Sequence, residues 1–311
     1  MTDLSSYPAL SKLLGRVASL WPEHQDYIDR SFADRNANVM AVSERVASCA
    51  LRLADHMEGG LDGLCADYRF LCEQIVLPEE MHFRRNNRYR LSSFADAQRE
   101  CYDNAPFMGR YMNGLLISNV IWNNHAHAIT HYVSTYLPGL RAGFDLLELG
   151  PGHGLFVYFA ASNPNAGSVS GWDISPTSIA HTRMALATLG VEKPVRLEQQ
   201  NLFEAPDDDR RFDAIVMSEI LEHLEDPVAA LQAAKARLRP GGSIWVNVPA
   251  NSPAPDHIFL VQSPEHACEL VQAAGLEVAA SEAFPMTGAT LEKARKRQLA
   301  ISCVVVARNP A

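Results

Sequence analysis

The chain has 311 residues, of which 47% are hydrophobic and 20% charged, and its formal net charge is −9. That length can bury a large core without disulfides, and the composition excludes fibrous, collagen-like and wholly disordered chains. The acidic balance argues against bulk nucleic-acid binding and leaves room only for a local basic patch. Cysteines stand at 49, 65, 72, 101, 268 and 303, with no CxxC and no zinc spacing. Reduced thiols in a cytoplasmic protein are therefore expected. No signal peptide or membrane span is expected.

Residues 1–140 and 141–311 read as two domains. The first lacks β-α alternation. Apolar spacing predicts helices around Leu10–Val17 and Val39–Leu53. Another starts at Leu61, runs through Leu64, Tyr68, Leu71 and Ile75, and is stopped or kinked by Pro78. Two more are expected over 94–103 and 106–137, the second closed near Gly139.

From residue 144 the pattern alternates. Phe144–Leu149 reads as a buried strand, Leu155–Ser162 as a helix and Ser168–Asp173 as the second strand. Pro176–Leu189 is a helix, and Val195–Glu198 and Phe212–Met217 are the next strands. The helix Pro227–Leu238 is closed by a Pro240-Gly241-Gly242 turn, and Ser243–Val248 is the fifth strand. Pro264–Ala274 is a helix. Leu276–Ser281 and Ile301–Ala307 are the last strands, separated by an excursion over 284–299 with a helix from Thr290 to Gln298. Such a βαβ series predicts an α/β fold with a mostly parallel sheet covered on both faces.

The strongest motif is Glu148-Leu149-Gly150-Pro151-Gly152-His153-Gly154, which follows a strand and opens a helix. Gly150, Gly152 and Gly154 let the turn close and let a ligand approach the backbone. The dinucleotide fingerprint needs a further glycine where Leu155 stands. Glu148 also repels a pyrophosphate and attracts an amino group. A nucleoside bearing an amino acid is thus favoured over a nicotinamide dinucleotide; a purely structural turn is the alternative. Asp173 ends the second strand and can accept both ribose hydroxyls, or cap the next helix in competition with Ser175 and Thr177. Asn201 can offer an amide to an adenine edge, and Leu202 and Phe203 can pack on the base; a polar loop with core anchors is the alternative.

These residues together resemble the class I S-adenosylmethionine-dependent methyltransferases over 144–307, with Glu148–Gly154 as their first motif and Asp173 as their ribose-binding acid. Asn201 departs from the pattern, which often has an acidic residue there to meet the adenine amine. Ser218-Glu219-Ile220-Leu221-Glu222-His223-Leu224-Glu225-Asp226-Pro227 resembles the segment after the fourth strand in small-molecule methyltransferases, notably those acting on quinone precursors. The resemblance implies S-adenosylmethionine as cofactor, Ser218 among its contacts, and a seven-stranded sheet of order 3-2-1-4-5-7-6. The largely helical residues 1–140 are expected to cap this domain, their size and apolar content suiting a substrate lid better than an RNA platform.

The expected chemistry is in-line attack of an acceptor on the sulfonium methyl group, with proton removal where needed. Loops beyond the first, fourth and fifth strands then supply candidates. His257, His223 and Glu219 are candidate proton-transfer or contact groups, and Asn251 and Asp256 candidate acceptor ligands, with Asp256 able to orient His257. Loop shaping and helix capping are the alternatives. His153 shapes the cofactor loop. In the cap, Trp122, Asn124 and His125 are candidate lining groups, His125 with a catalytic option, and Met286 a candidate wall. His127 and His131 share a helix face, but no metal motif supports a metal site, and none is expected. Arg84 and Arg88 lie in the basic run 82–90 and can fork onto an anionic acceptor or receive an acyl or peptidyl carrier protein; a solvated loop is the alternative. Arg295, Lys296 and Arg297 carry the same ambiguity.

A small organic metabolite methylated at oxygen, in bacterial specialised or cofactor metabolism, is the leading expectation. Nitrogen or carbon acceptors, a non-catalytic binding protein and a nicotinamide enzyme are alternatives. A homodimer is a further expectation; nucleic acid and membrane are not expected partners.

Overall fold

A computed structural model describes residues 4–204 and 209–310. They form two compact units, each discontinuous in sequence. The helical unit comprises Met1–His131, Ser252–His257 and Phe284–Ala300; the sheet unit comprises Tyr132–Asn251, Ile258–Ala283 and Ile301–Ala311. In chain order the helices are α1 (Pro8–Leu20), α2 (Gln25–Phe32), α3 (Ala37–Ala54), α4 (Gly60–Phe70), α5 (Leu77–Asn86), α6 (Phe94–Ala97) and α7 (Ala105–Ile121). There follow α8 (Asn123–His131), α9 (Leu137–Gly139), α10 (Leu155–Ala161), α11 (Pro176–Thr188), α12 (Pro227–Ala236), α13 (Pro264–Ala273) and α14 (Leu291–Arg297). No helix among the described residues is long and apolar enough to cross a membrane.

In the helical unit, apolar residues at helical spacing become the core. Leu10, Leu13, Leu14 and Val17 of α1 are buried, as are Val39, Val42, Val46 and Leu53 of α3. Each such side chain contributes about 1.5–3 kcal/mol on burial. Glu44 accepts from the backbone N–H groups of Ala9 and Leu10, both at 2.8 Å, and so caps α1.

Two helices differ from expectation. Pro78 does not end the helix from Leu61: a π-helical turn over Leu71–Val76 leads into α5, with Pro78 in its first turn. The wider turn accommodates the proline ring and its missing N–H. The helix expected over 106–137 breaks at Trp122, whose ψ of 130° is extended. The break frees carbonyls at the end of α7. The buried Arg35 donates to those of Val120 (2.8 Å) and Ile121 (3.0 Å), and to Ser31 O, Ser31 Oγ and Ser43 Oγ. All five guanidinium N–H groups are thus placed. Asn123 N, opening α8, donates to Thr287 Oγ1 at 3.1 Å.

The sheet unit holds β1 (Phe144–Leu149), β2 (Ala166–Asp173), β3 (Val195–Gln199), β4 (Phe212–Ser218), β5 (Leu238–Ala250), β6 (Glu277–Pro285) and β7 (Ile301–Arg308). The strand order is β3-β2-β1-β4-β5-β7-β6, as the resemblance implied. β1 pairs in parallel with β2 and β4, β2 with β3, and β4 with β5, whereas β7 runs antiparallel to β5. Trp245 of β5 anchors the core against Tyr132 and Phe156, at ring separations of 5.3 and 5.5 Å. Pro240-Gly241-Gly242 is not a turn ahead of the fifth strand. It is a bulge within β5, where pairing jumps from Phe212↔Leu238 to Ala214↔Ser243. A Cβ on Gly242 would lie 2.9 Å from Arg239 O and 3.1 Å from Asp213 O, so only glycine fits there.

At the amino ends of the strands, charges pair. Arg239 reaches Asp213 (2.5 Å) and Asp145 (2.7 Å), and Arg141 reaches Asp213 (2.5 Å).

Candidate active site

The carboxyl ends of the same strands are built differently. β1 ends in a turn where Gly150, Gly152 and Gly154 all have positive φ (64°, 49° and 80°). A Cβ on Gly150 would come within 2.2 Å of Ile220 Cδ1. Thr182 of α11 donates to Gly152 O at 2.9 Å and ties the turn down. Glu148, just ahead of it, is 2% exposed, and its Oε2 has no hydrogen-bond partner among the described residues. Burial holds this carboxyl well above the usual carboxylate range, and the Asp173 charge adds to the effect. His153 bonds the Leu155 N–H through Nδ1, and burial pushes its pKa down to about 4. That fits the loop-shaping reading.

Asp173 lies at the tip of β2. Its Oδ1 accepts from Ser175 N (2.8 Å) and its Oδ2 from Ser178 Oγ (2.5 Å). Each oxygen keeps lone-pair capacity for a further donor. Burial raises its pKa, opposed by these bonds. Asn201 Oδ1 accepts from Phe203 N at 3.0 Å, which leaves Nδ2 as the group it offers outward. That is a donor, complementary to a ring nitrogen rather than to an exocyclic amine. Leu202 is half-buried. Phe203 is 55% exposed and Ile174 49%, two apolar side chains beside Asn201 and Asp173. Ile174 was not anticipated; an apolar residue between Asp173 and Ser175 was its signal.

Beyond β4, Glu219 adopts left-handed backbone (φ 54°), a conformation that costs a non-glycine residue about 1–2 kcal/mol. Asn247 of β5 holds it there, donating from Nδ2 to Glu219 Oε1 (2.7 Å) and to Ser218 Oγ (3.3 Å). Asn247 Oδ1 is buried and has no partner among the described residues. The pairings Glu148↔Val216 and Ser218↔Asn247 put Glu148, Ser218 and Asn247 on one sheet face. Asn247 was also missed, although a lone amide in the run Ile244–Val248 marked it. Glu222 is fully buried, its Oε1 lies 3.7 Å from His223 Nε2, and its carbonyl accepts from Ile258 N and Phe259 N. Asn251 is left-handed (φ 50°) and buried, and its Nδ2 donates to Gln262 O at 2.9 Å.

The helical unit includes the segment Ser252–His257. His257 Nδ1 lies 2.7 Å from Ser252 O. A carbonyl only accepts, so Nδ1 carries a proton. Ser252 O, rather than Asp256, therefore orients the ring through Nδ1. Asp256 accepts instead from Tyr111 Oη and Tyr102 Oη, both at 3.2 Å. These tyrosines are distant in sequence and gave no signal. Tyr89 accepts from Ser252 N, and its ring meets His257 edge-on at 5.7 Å.

Trp122 donates from Nε1 to Tyr68 Oη at 3.1 Å and meets His125 at 4.9 Å between rings. Ser118 Oγ spends its proton on Leu115 O, so it accepts from His125 Nδ1 at 3.0 Å. Asn124 is buried and Met286 half-buried. His127 packs 5.3 Å from Phe284, and burial lowers its pKa, helped by Arg35. Arg84 is engaged by Glu80 and by carbonyls at the end of α14, while Arg88 is exposed.

A family model described as a methyltransferase domain matches residues 121–283, just over half of the chain. A ubiquinone biosynthesis O-methyltransferase of Alkalilimnicola ehrlichii is 31% identical over 141 residues, 45% of this chain and 55% of that protein. Its counterpart in Xanthomonas euvesicatoria pv. vesicatoria is 31% identical over 124 residues, 40% of this chain and 49% of that protein. The chain thus spans about half the length of the curated relatives it matches. Among solved structures, the [4+2]-cyclase SpnF superposes with a TM-score of 0.50 at 20% identity, covering 61% of this chain and 82% of that one. The shared fold does not fix a shared reaction, which must be argued from side chains.

Proposed function

Since the chain belongs to the S-adenosylmethionine-dependent methyltransferase family, we propose that it transfers the cofactor's methyl group to an oxygen of a small organic acceptor by in-line displacement. The observation that carries this reading is Glu148. A buried carboxyl with an unmatched oxygen, directly ahead of three left-handed glycines, fits a ligand with a positively charged amino group. Such a group would supply the missing hydrogen bond and ionise the carboxyl. Asp173 would take the ribose hydroxyls, and Ile174, Leu202 and Phe203 the faces of the base, with Asn201 donating to its edge. The cofactor supplies a methyl group made electrophilic by a sulfonium.

His257 is the proposed base. Its Nδ1 proton is held by Ser252 O, and Nε2 would take the proton of an acidic hydroxyl. The helical unit would bind the acceptor, with Trp122, Asn124, His125 and Met286 near the break at residue 122. Glu219, held by Asn247, and His223 would orient the reacting groups. The O-methyltransferase relatives favour oxygen over nitrogen or carbon. Six free thiols favour a reducing, cytoplasmic setting. The arginines of the helical unit favour an acceptor presented on an acyl or peptidyl carrier.

Calorimetric titration tests the cofactor half. S-adenosylhomocysteine is expected to bind, and reduced nicotinamide dinucleotide not to bind. The reverse result would sink the reading. His257→Asn keeps a donor for Ser252 O but lacks a base. It is expected to lower the methylation rate about 100-fold to 10,000-fold, with S-adenosylhomocysteine affinity unchanged. An unaltered rate would remove His257 from the chemistry.

A further inference from the structure

The helical unit brings together two basic clusters that are far apart in the chain. Arg84, in the last turn of α5, donates to the carbonyls of Arg297 (2.6 Å) and Gln298 (3.1 Å) at the end of α14. Its Nε meets Glu80 at 2.6 Å. Two helix carboxyl termini therefore converge, at Asn87 and Gln298, both left-handed (φ 52° and 48°). Around this junction Arg85, Arg88, Lys296 and Arg297 are exposed, and their side chains have no ion-pair partner among the described residues. Helix dipoles account for only part of this charge. Two carboxyl termini carry about one negative charge between them, and Arg84 already sits on one of them. Four unmatched cations remain, in a chain whose net charge is −9.

Apolar side chains extend the same surface. Leu77 is 55% exposed and Met81 47%, one turn apart on α5, on the face that continues to Arg84 and Arg85. The opposite face is buried through Glu79 and Phe83.

We propose that this surface, Leu77, Met81 and Arg85 with Arg88, Lys296 and Arg297, docks an acidic helix of a carrier protein on which the acceptor is held as a thioester. The proposal rests on the methyl-transfer reading. Guanidinium forks match carboxylates in both charge and shape. Leucine and methionine give adaptable apolar contacts at the centre of such a contact. A single-stranded nucleic acid needs exposed aromatic rings for stacking, and the rings of this stretch, Phe83 and Tyr89, are buried. A bilayer needs a longer apolar face than two side chains provide.

The test titrates the full chain with a fluorescent helical peptide bearing glutamates around two leucines. Its glutamine counterpart, a single-stranded RNA and phosphatidylglycerol vesicles run in parallel. The acidic peptide is expected to bind saturably and more weakly as salt is raised. The joint change Arg85→Glu, Lys296→Glu and Arg297→Glu is expected to weaken it about tenfold or more. Leu77→Ser with Met81→Ser is expected to weaken it about threefold to tenfold and to leave the salt dependence in place. These side chains are exposed, so the melting curve and S-adenosylhomocysteine affinity of each variant should match the wild type. Equal binding of the glutamine peptide, indifference to charge reversal, or preference for RNA or vesicles overturns the proposal. Failure of S-adenosylhomocysteine to bind the wild type overturns the methyl-transfer reading instead, and leaves the docking result readable.

Discussion

The two ends of one sheet are finished in opposite ways. At the amino ends of β1, β4 and β5, every carboxylate has a cation: Asp145 and Asp213 share Arg239, and Asp213 also takes Arg141. At the carboxyl ends, Glu148 and Asn247 keep buried oxygens without a partner among the described residues, and Glu219 and Asn251 sit in left-handed backbone. The first pattern lowers the free energy of the folded chain by itself. The second raises it, and makes sense only where a ligand later supplies the missing donors. One strand set thus carries matched charges at one end and unmatched buried oxygens at the other.

That contrast can be broken at either end. The largest effect is expected for Glu148→Gln, which should weaken S-adenosylhomocysteine about tenfold to hundredfold in a binding titration. The same variant should be no less stable without ligand. Burial raises the folded pKa of Glu148 above its ordinary 4.5, so its contribution to stability is complete in acid and is lost as pH rises through the folded value. Glutamine has no such loss, so the melting temperature of the variant should gain on the wild type as pH increases. A variant that binds normally would mean that the unmatched oxygen serves no ligand.

The opposite end should answer in the opposite sense. Arg239→Ala should cost about 1–2 kcal/mol in urea unfolding, up to about 1 kcal/mol for each of its two partly exposed ion pairs, and leave cofactor affinity untouched. Burial raises the pKa of Asp145, but its bonds to Ser168 and Arg239 outweigh this and hold it below its ordinary 3.8. Its contribution is therefore present above that value and is lost as pH falls through the folded pKa. The variant should lose less stability than the wild type on acidification. A change in cofactor affinity would show that the two ends are coupled.

The smallest effect isolates backbone strain. Glu219→Gly and Glu219→Ala both delete the bond to Asn247, so their difference reports the left-handed conformation alone. Glycine should be the more stable by about 1 kcal/mol in thermal melts. Equal stability would remove strain from the account of this end.

What could be read from the chain follows the range of each interaction. The central strands were legible as short apolar runs, such as Phe144–Leu149 between Gly143 and Gly150, and the glycine turn and Asp173 because their chemistry is local. The break at Trp122 was not, since the group that takes its freed carbonyls is Arg35, some 85 residues upstream of Val120. The clasp of Tyr102 and Tyr111 on Asp256 joins residues 154 and 145 positions apart, which no periodicity shows. The β5 bulge was misread because Pro-Gly-Gly signals a turn locally, while pairing with β4 on both sides keeps the strand continuous. Asn247 was overlooked inside a run otherwise consistent with a buried strand.

The interleaved course of the chain has a consequence for how such a protein can be taken apart. The helical unit is assembled from three stretches, and no single cut releases it. Cleavage after His131 would strip Asn123 of Thr287, Arg84 of the α14 carbonyls, and Tyr102 and Tyr111 of Asp256. It would also leave the sheet unit with two orphaned insertions, one after β5 and one ahead of β7. Fragment expression and simple domain grafting are therefore closed routes. A replacement for the helical unit can enter this architecture only by changing all three stretches in concert.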